Sequence, residues 1–333
     1  MKVAVTGVNG FVGRHLVREL ISHGHTVIGM GMGPAEEEIG PLLSEYVAVD
    51  LRQRWPSVDC DAVVHLAALS SVGPSFKDPQ LYIESNSAPL THMGEALLST
   101  TGRARVVVVS TGAVYRTPAD SPLDESAPIA PSSPYIVSKI LTEAQSAYYR
   151  QRGLDILVMR PFNHVGPGQG GGFLIPDLVT GITNWIRTGE AVSVGNLATR
   201  RDYTDVRDVV RAYRLALEAP QVTAPMLNVC SGKSVSGREL LDLVAGALTD
   251  GQHPEIVVDR ARLRPGDPGE VRGNNTAILE ALGWQPSINL VQTVRDVVDS
   301  ERHEEADSHA DCAGRLLVVS RHSVHPARSA RVD

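Results

Sequence analysis

The stretch KVAVTGVNGFVGRHL, residues 2–16, joins an apolar run to a glycine-containing turn and the beginning of a helix. Its glycines Gly7, Gly10 and Gly13 are spaced three residues apart. Glycine permits a tight turn and lets backbone amides approach a pyrophosphate, and the amino terminus of the next helix faces the phosphate charge. A tight turn that binds no ligand is the alternative interpretation. The position at the start of an alternating strand and helix pattern favours a dinucleotide-binding turn.

Further apolar runs follow at regular intervals after this turn. They read HTVIGM, DAVVHLA, RVVVVS and DILVMRP, and they are rich in Val and Ile. Amphipathic segments such as RHLVRELISHG lie between them. Buried strands that alternate with helices predict a parallel sheet covered on both faces. We therefore expect an α/β fold with a doubly wound parallel sheet.

The composition changes after Arg160. The segment HVGPGQGGGFLIP is a loop too long for a simple turn, and loops of this kind are often functional. We expect residues 1–160, with returning segments near 201–230, to form one domain. Residues 161–300 should form mainly a smaller, C-terminal α/β part that binds substrate.

The later sequence predicts three helices and a tail. SVSGRELLDLVAGAL is capped by Ser236, a second helix runs from Asn274 to Leu282, and the last lies in LVQTVRDVVDS. The tail, residues 301–333, contains no aromatic residue and is expected to be poorly ordered.

Composition narrows the class of protein. The chain has 333 residues, 42% of them hydrophobic, and a net charge of −7, which gives no footprint for nucleic acid. Its three cysteines, Cys60, Cys230 and Cys312, form no CxxC pair, which favours a reducing cytoplasm. No apolar run reaches the length of a membrane span. The histidines of the tail fit no ligand spacing, so we expect no metal site.

The stretch SPYIVSKILTEAQ poses a separate question, because Tyr135 and Lys139 lie four residues apart and share a helix face. An ammonium beside a phenol favours the phenolate and lowers the pKa of the phenol, so this tyrosine could exchange protons near neutral pH. Taken alone, the spacing also fits two ordinary helix residues.

Read in order, the motifs of residues 1–300 resemble those of the extended short-chain dehydrogenase/reductases. The resemblance is to the branch of nucleotide-sugar epimerases, dehydratases and reductases, and it implies a Rossmann-type fold that binds NAD(P). The motifs that carry it are TGVNGFVG, VDL, HLAALSSV, YIESN, STGAVY, YIVSK, RPFNHVGPG and RRDYTDVRD.

The resemblance implies a set of coenzyme-binding residues. They are Gly7, Asn9, Gly10, Phe11, Val12, Gly13, Asp50, Leu51, Leu66, Ala67, Ala68, Asn86, Ser110, Tyr135, Lys139 and Pro161. The residue that would select NAD is an acid at the end of the second strand, and Gly31 stands about there. No arginine marks a 2′-phosphate site either, and we favour NADPH.

The resemblance also implies the catalytic groups. Tyr135 would exchange the proton of a sugar hydroxyl or ketone, and Lys139 would bind the nicotinamide ribose. Thr111 would hold the sugar oxygen, with Ser110 the less favoured neighbour; alternatively, both hydroxyls only end the strand. The 4,6-dehydratases of this family carry an acid directly after the threonine. Gly112 and Ala113 stand there instead, which disfavours dehydration.

The sugar-nucleotide side is implied by matching positions elsewhere. Arginine binds phosphate with two parallel hydrogen bonds, which suits a diphosphate. The segment RPFNHVGPGQ is most similar to the reductases of GDP-4-keto-6-deoxymannose, which favours a GDP-sugar, although dTDP and UDP stay open. The implied substrate-binding residues are Ser70, Thr111, Asn163, His164, Arg201 and Arg264.

Three functions fit these residues. The leading one is a nucleotide-sugar 4-ketoreductase, and the second is a nucleotide-sugar 4-epimerase that keeps a tightly bound NAD. The third is a non-catalytic, coenzyme-binding regulator, which is disfavoured because Tyr135 and Lys139 are both present. We expect a cytoplasmic homodimer that contacts neither nucleic acid nor membrane.

Overall fold

The computed structural model of the protein describes residues 1–100, 104–117, 122–249, 251–263 and 267–302. The strands are β1 (Lys2–Thr6), β2 (Thr26–Gly31), β3 (Glu45–Ala48), β4 (Ala62–His65), β5 (Arg105–Val109), β6 (Asp155–Pro161), β7 (Asn163–Val165), β8 (Val192–Val194), β9 (Arg200–Asp205), β10 (Met226–Val229), β11 (Ser234–Ser236), β12 (Ile256–Val258) and β13 (Glu270–Val271). The helices are α1 (Phe11–Ser22), α2 (Val72–Ser75), α3 (Pro79–Ser99), α4 (Pro134–Gln151), α5 (Leu174–Thr188), α6 (Val206–Glu218), α7 (Gly237–Leu248), α8 (Thr276–Leu282) and α9 (290–302).

The main sheet has seven strands in the order β10-β6-β5-β4-β1-β2-β3, and every pairing in it is parallel. The predicted Rossmann-type parallel sheet is therefore confirmed. The chain order reverses between β1 and β4, and ligands of such sheets bind at this reversal, beyond the carboxyl ends of the strands. The glycine turn follows β1 and the HLAALSSV segment follows β4, so the topology places both there.

Helices cover both faces of this sheet. On one face α1 and α6 pack against apolar strand residues, with Leu16 and Tyr213 fully buried. On the other face α3 and α4 do the same, and Leu90 and Tyr149 lie in that core. The near-continuous apolar strands are explained by this burial on two sides.

A second core lies in the later part of the chain. It is formed by α5, α7, α9 and β8, and includes Ile182, Val192, Leu241 and Val297. The chain does not stay in this part, because α6 packs on α1 and β10 pairs with β6 in the main sheet. A smaller sheet has the strand order β11-β9-β13, and β7 also pairs with β9.

The predicted later helices are confirmed. Ser236 and Glu239 form a reciprocal capping box at the start of α7, and α8 ends at Gly283, whose φ of 63° suits glycine. The short strand β3 lacks a clear sequence signal, since its residues are partly exposed. Of the tail, residues 303–333 lie outside the described residues. Among the described helices, none has the length and apolar character that a bilayer crossing requires.

Candidate active site

The glycine turn leaves no room for side chains. Gly7 has a φ of 68°, and a Cβ there would lie 2.9 Å from the backbone nitrogen of Ala67. A Cβ on Gly13 would lie 2.5 Å from the carbonyl oxygens of Gly7 and Val8. Helix α1 begins at Phe11 without a side-chain cap, so its first amides face the turn as hydrogen-bond donors. This arrangement fits the diphosphate of a dinucleotide coenzyme.

The end of β2 carries no acid. A Cβ on Gly31 would lie 3.0 Å from the Tyr46 hydroxyl, so this hydroxyl occupies the space of a side chain. Tyr46 donates to the Gly33 carbonyl at 2.9 Å, and Asn9 donates to the Pro34 carbonyl at 2.8 Å. The Asn9 side chain therefore supports the loop after β2, and the two side chains that lie against Gly31, those of Asn9 and Tyr46, are neutral.

Two further residues of the predicted coenzyme-binding set, Asp50 and Leu51, differ in environment. The Asp50 carboxylate is bound by Arg52 at 3.0 Å (Nε to Oδ1) and 2.7 Å (Nη2 to Oδ2), which lowers the pKa of Asp50. The Leu51 side chain lies in the core, and its carbonyl accepts a hydrogen bond from His92 at 3.0 Å. Asp50 is thus held as an anion, whereas Leu51 can present only backbone groups.

Backbone amides of the segment after β4 hold this segment against Thr6, the last residue of β1. The amides of Leu66 and Ala67 donate to the Thr6 hydroxyl at 3.1 and 3.0 Å, next to the glycine turn. Ala68 is half-buried, and Ser70 is exposed. This segment therefore forms a wall beside the glycine turn.

The buried Asn86 side chain holds this wall in place through hydrogen bonds. Its side chain accepts from the Leu69 amide at 2.7 Å and donates to the Leu69 carbonyl at 3.0 Å. It also donates to Ser138 on α4 at 2.8 Å, and it is 1% exposed. The hydrogen bonds of Asn86 therefore go to protein groups, and its influence on a coenzyme is through the position of the wall.

Tyr135, Thr111 and Lys139 meet at the carboxyl end of β5. Helix α4 begins after Ser133, whose hydroxyl caps it, so Tyr135 and Lys139 lie on its first two turns. The Tyr135 hydroxyl is hydrogen-bonded to the Thr111 side chain. Lys139 donates to the Val109 carbonyl at 2.8 Å. The structure thus brings together all three predicted catalytic residues.

The protonation of this group differs from the expectation that Lys139 lowers the pKa of Tyr135. Burial raises the pKa of Tyr135 to about 12, and the hydrogen bond from Thr111 only partly offsets it. Burial also lowers the pKa of Lys139 to about 8, against the opposing charge of Glu143. The expectation is wrong here because desolvation disfavours each charged form. Tyr135 is therefore a neutral phenol at neutral pH.

Two predicted coenzyme residues are directed into the protein. The Ser110 hydroxyl donates to the Glu143 carboxylate at 2.5 Å, and Ser110 is 3% exposed. Its side chain is therefore committed to Glu143 rather than to a ligand. Pro161 is the last residue of β6 and pairs with Val229 in the sheet.

The position of the dehydratase acid is closed by packing. A Cβ on Gly112 would lie 2.7 Å from the ring of Phe162, so no carboxylate can stand there without displacing that ring. Ala113 is exposed but carries only a methyl group. Glu125 accepts a hydrogen bond from the Asn228 amide at 2.6 Å, and Asp124 caps the following turn by accepting from Ser126.

Three of the six predicted substrate residues, Asn163, His164 and Arg201, lie on β7 and β9. Asn163 is exposed and hydrogen-bonded to the Tyr203 hydroxyl, and His164 stacks on the ring of Phe11. Arg201 is bound to Asp267 at 2.5 Å and to the Pro268 carbonyl at 2.9 Å. Arg264 lies outside the described residues. Arg201 is therefore a positioned cation, not a mobile surface side chain.

The sequence patterns did not predict the contacts between helix α1 and the glycine-rich loop after β7. Arg14 donates to the Gly168 carbonyl at 2.9 Å, and the His15 ring bonds the Pro167 carbonyl at 2.9 Å. These contacts tie the glycine-rich loop to helix α1. The sequence gives no signal for them, since the partner atoms are backbone carbonyls of a distant loop. Glu143 was also missed, although its spacing of four from Lys139 could have revealed it.

A cavity of about 330 Å³ lies at the opposite edge of the sheet. Its lining includes Arg105, Asp155 and Pro225, which stand at the amino ends of β5, β6 and β10. The catalytic group lies at the carboxyl ends, so this cavity is separate from it. No cluster of His, Cys, Asp or Glu suited to a metal ion occurs in the described part of the chain.

Comparison with known proteins agrees with this geometry. The family model described as GDP-mannose 4,6-dehydratase matches residues 4–297. A GDP-6-deoxy-D-mannose reductase of Pseudomonas aeruginosa is 33% identical over 302 residues, which cover 89% of this chain and 96% of that protein.

Two solved structures are similar throughout. One is RMD from Pseudomonas aeruginosa complexed with NADPH, with a TM-score of 0.75, 31% identity and coverage of 90% of this chain and 99% of that chain. The other is a Thermus thermophilus UDP-glucose 4-epimerase in complex with NAD, with a TM-score of 0.78, 29% identity and coverage of 91% and 99%. Together with the Tyr135, Lys139 and Thr111 site, these matches show that the chain belongs to the GDP-mannose 4,6-dehydratase family within the extended short-chain dehydrogenase/reductases.

Proposed function

We propose that the protein is an NAD(P)H-dependent nucleotide-sugar 4-ketoreductase that acts on a GDP-linked sugar. The observation that carries this proposal is the 33% identity to a GDP-6-deoxy-D-mannose reductase over 96% of that relative. The site geometry supports it, because Tyr135, Thr111 and Lys139 meet at the carboxyl end of β5. Reduction of a ketone needs a proton donor at the carbonyl oxygen, and the Tyr135 hydroxyl is the group placed for it.

The residues have distinct roles in this proposal. A bound nicotinamide coenzyme supplies the hydride. Tyr135 donates its proton to the oxygen at C4 of the sugar, and Thr111 holds that oxygen. Lys139 binds the nicotinamide ribose, and the turn of Gly7, Gly10 and Gly13 receives the diphosphate of the coenzyme. Residues 1–160 with the segments near 201–230 would bind coenzyme, and residues 161–300 mainly the nucleotide sugar.

NADPH is the coenzyme we favour. The position of the NAD-selecting acid is Gly31, and Tyr46 and Asn9 beside it are neutral. Neutral side chains at this position do not repel the 2′-phosphate of NADPH. The RMD structure complexed with NADPH gives the same indication.

A 4-epimerase is the second candidate, because the epimerase from Thermus thermophilus is similar over nearly the whole chain. The two functions differ in what the purified protein contains. An epimerase recycles a tightly bound NAD⁺, so denaturing it would release nicotinamide absorbance. A reductase exchanges its coenzyme at each turnover and would release little. A non-catalytic regulator is the least favoured reading, because Tyr135, Lys139 and Thr111 are assembled as a site.

The decisive assay uses GDP-, dTDP- and UDP-linked 4-keto sugars with NADPH and NADH in parallel. We expect oxidation of NADPH with a GDP-linked 4-keto-6-deoxy sugar. We expect no 4,6-dehydration of GDP-mannose or dTDP-glucose, because Gly112 and Ala113 offer no acid for the C6 hydroxyl. The product mixture is examined by mass spectrometry for the loss of one water. Accumulation of a 4-keto-6-deoxy product from GDP-mannose would refute the reductase assignment.

The sugar-diphosphate side gives a prediction for Arg201. Replacing it by alanine should weaken GDP binding by about 1.5–3 kcal/mol, the scale of a charge-assisted hydrogen bond. Isothermal titration calorimetry with GDP measures this. The matched control is Arg200→Ala, since Arg200 is turned toward Ser234 and Glu239. Equal affinities for both variants and wild type would remove Arg201 from the binding site.

We also propose a homodimer formed through α3 and α4. Exposed apolar side chains on these helices support it, among them Val137, Leu141 and Tyr148 at spacings that share one face of α4. Leu141→Arg should weaken dimerisation at least tenfold, because it buries a charge. Light scattering after size exclusion measures the mass. Val291→Arg, on a different helix, is the control and should stay dimeric; a monomeric wild type would contradict the proposal.

A cytoplasmic location completes the proposal. Cys60 and Cys230 are free thiols, as is usual in a reducing compartment.

A further inference from the structure

The main sheet has a gap beside the first residues of β6. Strand β10 begins at Met226, and its first partner on β6 is Val158. The Val158 amide donates to the Pro225 carbonyl at 3.1 Å, which completes this pairing. Strand β6 already begins at Asp155, and up to residue 157 its partner among the described strands is β5 alone. The edge of residues 155–157 that faces away from β5 is therefore open.

Ile156 turns unpaired backbone groups into this gap. Successive residues of a strand direct their amide and carbonyl to opposite neighbours. The Val158 amide points to the β10 side, and the Met159 carbonyl points to the β5 side, where it accepts from the Ser110 amide at 2.8 Å. Ile156 therefore points to the β10 side, where β10 has not yet begun. Ile156 is 3% exposed, and a buried peptide group without a partner costs free energy, so the gap favours a polar occupant.

The loop before β10 borders the gap on its other side. The amides of residues 222–224 donate no hydrogen bond within the part of the chain that the structure describes. These residues and Ile156 line the cavity of about 330 Å³ at the amino ends of the strands. That volume lies in the range of about 300–1,000 Å³ that small-molecule sites occupy. The cavity thus combines room for a ligand with unpaired backbone donors in its lining.

Arg150 supplies a positive charge to the cavity that no described acid neutralises. The lining has three charged residues, Arg105, Asp155 and Arg150. Arg105 Nε donates to Asp155 Oδ2 at 2.7 Å, and Arg105 Nη1 donates to the Ala216 carbonyl at 3.3 Å, so this pair is internally satisfied. Arg150 is half-buried in the last turn of α4. Its guanidinium makes one long hydrogen bond to a described residue, 3.4 Å from Nη1 to the Pro225 carbonyl.

The rest of the lining indicates the chemistry of a ligand. Apolar side chains of Leu154, Leu157 and Val222 line the cavity together with Arg150. A guanidinium binds a carboxylate through two parallel hydrogen bonds, and Arg150 has the free donors for them. One net positive charge beside apolar side chains suits a monoanion with an apolar body better than a doubly charged phosphate ester.

We propose that this cavity is a second ligand site that binds a small organic carboxylate. The carboxylate group binds the Arg150 guanidinium, and the apolar body of the ligand packs on Leu154 and Leu157. Polar groups of the ligand or a bound water pair with the backbone of Ile156. The site lies at the amino ends of the strands, so it is additional to the coenzyme and sugar sites at the carboxyl ends.

The test is isothermal titration calorimetry with 2-naphthoate as the probe, in the presence of NADP⁺ and GDP. Binding by wild type is expected to persist at saturating concentrations of both nucleotides, because they belong at the other edge of the sheet. Arg150→Met should weaken 2-naphthoate binding at least about tenfold, the scale of a lost charge-assisted hydrogen bond. Arg150→Lys keeps the charge and should lose less affinity than Arg150→Met. The neutral 2-naphthamide should bind wild type at least about tenfold more weakly than 2-naphthoate does.

Arg152→Met is the matched control. Arg152 lies two residues further along the chain, pairs with Glu95 and does not line the cavity, so this variant should bind 2-naphthoate as wild type does. The competing explanation is that Arg150 only stabilises the carboxyl end of α4 through its charge. In that case Arg150→Met would lower the melting temperature and leave 2-naphthoate affinity unchanged.

Three results would overturn the proposal. They are equal affinities of wild type and Arg150→Met for 2-naphthoate, loss of binding when NADP⁺ and GDP are added, and no binding by wild type up to the solubility limit of the probe. The comparison of 2-naphthoate with 2-naphthamide uses wild type alone, so it decides the question even if Arg150→Met fails to fold. Equal affinities for the acid and the amide would also refute a carboxylate site.

Discussion

Replacing Tyr135 by phenylalanine is expected to lower kcat by at least about a hundredfold, the scale of lost general acid catalysis. The variant removes one oxygen from a site where the ring is buried and the hydroxyl is bonded to Thr111. Because the ring stays, the fold should be kept. Coenzyme affinity should remain near that of wild type, because the glycine turn and Lys139 are unchanged. Initial rates with saturating GDP-linked 4-keto sugar give kcat, and fluorescence titration gives the affinity.

Tyr148→Phe is the matched control for this experiment. It removes the same hydroxyl from the same helix, but Tyr148 is 52% exposed and lies away from Thr111. Its kcat should equal that of wild type. Turnover by Tyr135→Phe within a few-fold of wild type would exclude Tyr135 as the proton donor and direct attention to His164.

Replacing Gly7 by alanine is expected to abolish high-affinity coenzyme binding. Two costs add at this position. The φ of 68° costs an L-residue about 1–2 kcal/mol. The new methyl group would lie 2.9 Å from the Ala67 nitrogen and 3.2 Å from the Leu66 carbonyl carbon, and such overpacking costs about 1–3 kcal/mol. The turn or the segment after β4 must move, and both border the coenzyme site.

The Gly24→Ala variant is the control, because it has the conformational cost without the overpacking cost. Gly24 follows α1 with a φ of 78°, and a Cβ there meets nothing within 4 Å. This variant should lose only the conformational part of the stability and should bind coenzyme normally. Chemical unfolding gives the stability of each variant, and NADPH fluorescence gives its affinity. Normal coenzyme affinity in Gly7→Ala would show that the turn does not bind the diphosphate.

Local patterns were sufficient for five of the seven strands of the main sheet and for much of the site. The strands β1, β2, β4, β5 and β6 were predicted because a strand buried on both faces is apolar at consecutive positions. The spacing of Gly7, Gly10 and Gly13 is a local requirement of one turn, and the spacing of Tyr135 and Lys139 is a local property of one helix. Such features depend on neighbouring residues alone, so the sequence by itself determined them.

The tertiary structure decided which partner each polar group has. Ser110 bonds Glu143, 33 residues away, and Arg201 bonds Asp267, 66 residues away. The sequence suggested a coenzyme contact for Ser110 and a substrate contact for Arg201, but it could not show that a distant carboxylate positions each side chain. Such pairs form only after strands and helices have packed.

The protonation of the catalytic residues belongs to the tertiary structure as well. The sequence predicted a lowered pKa for Tyr135 from its spacing with Lys139, whereas burial raises it to about 12. A pKa depends on how much water the whole fold removes and on every charge that remains nearby. The sequence therefore determined which residues form the catalytic group, and the packing around them decided which of them carry charge, because desolvation is a property of the assembled core.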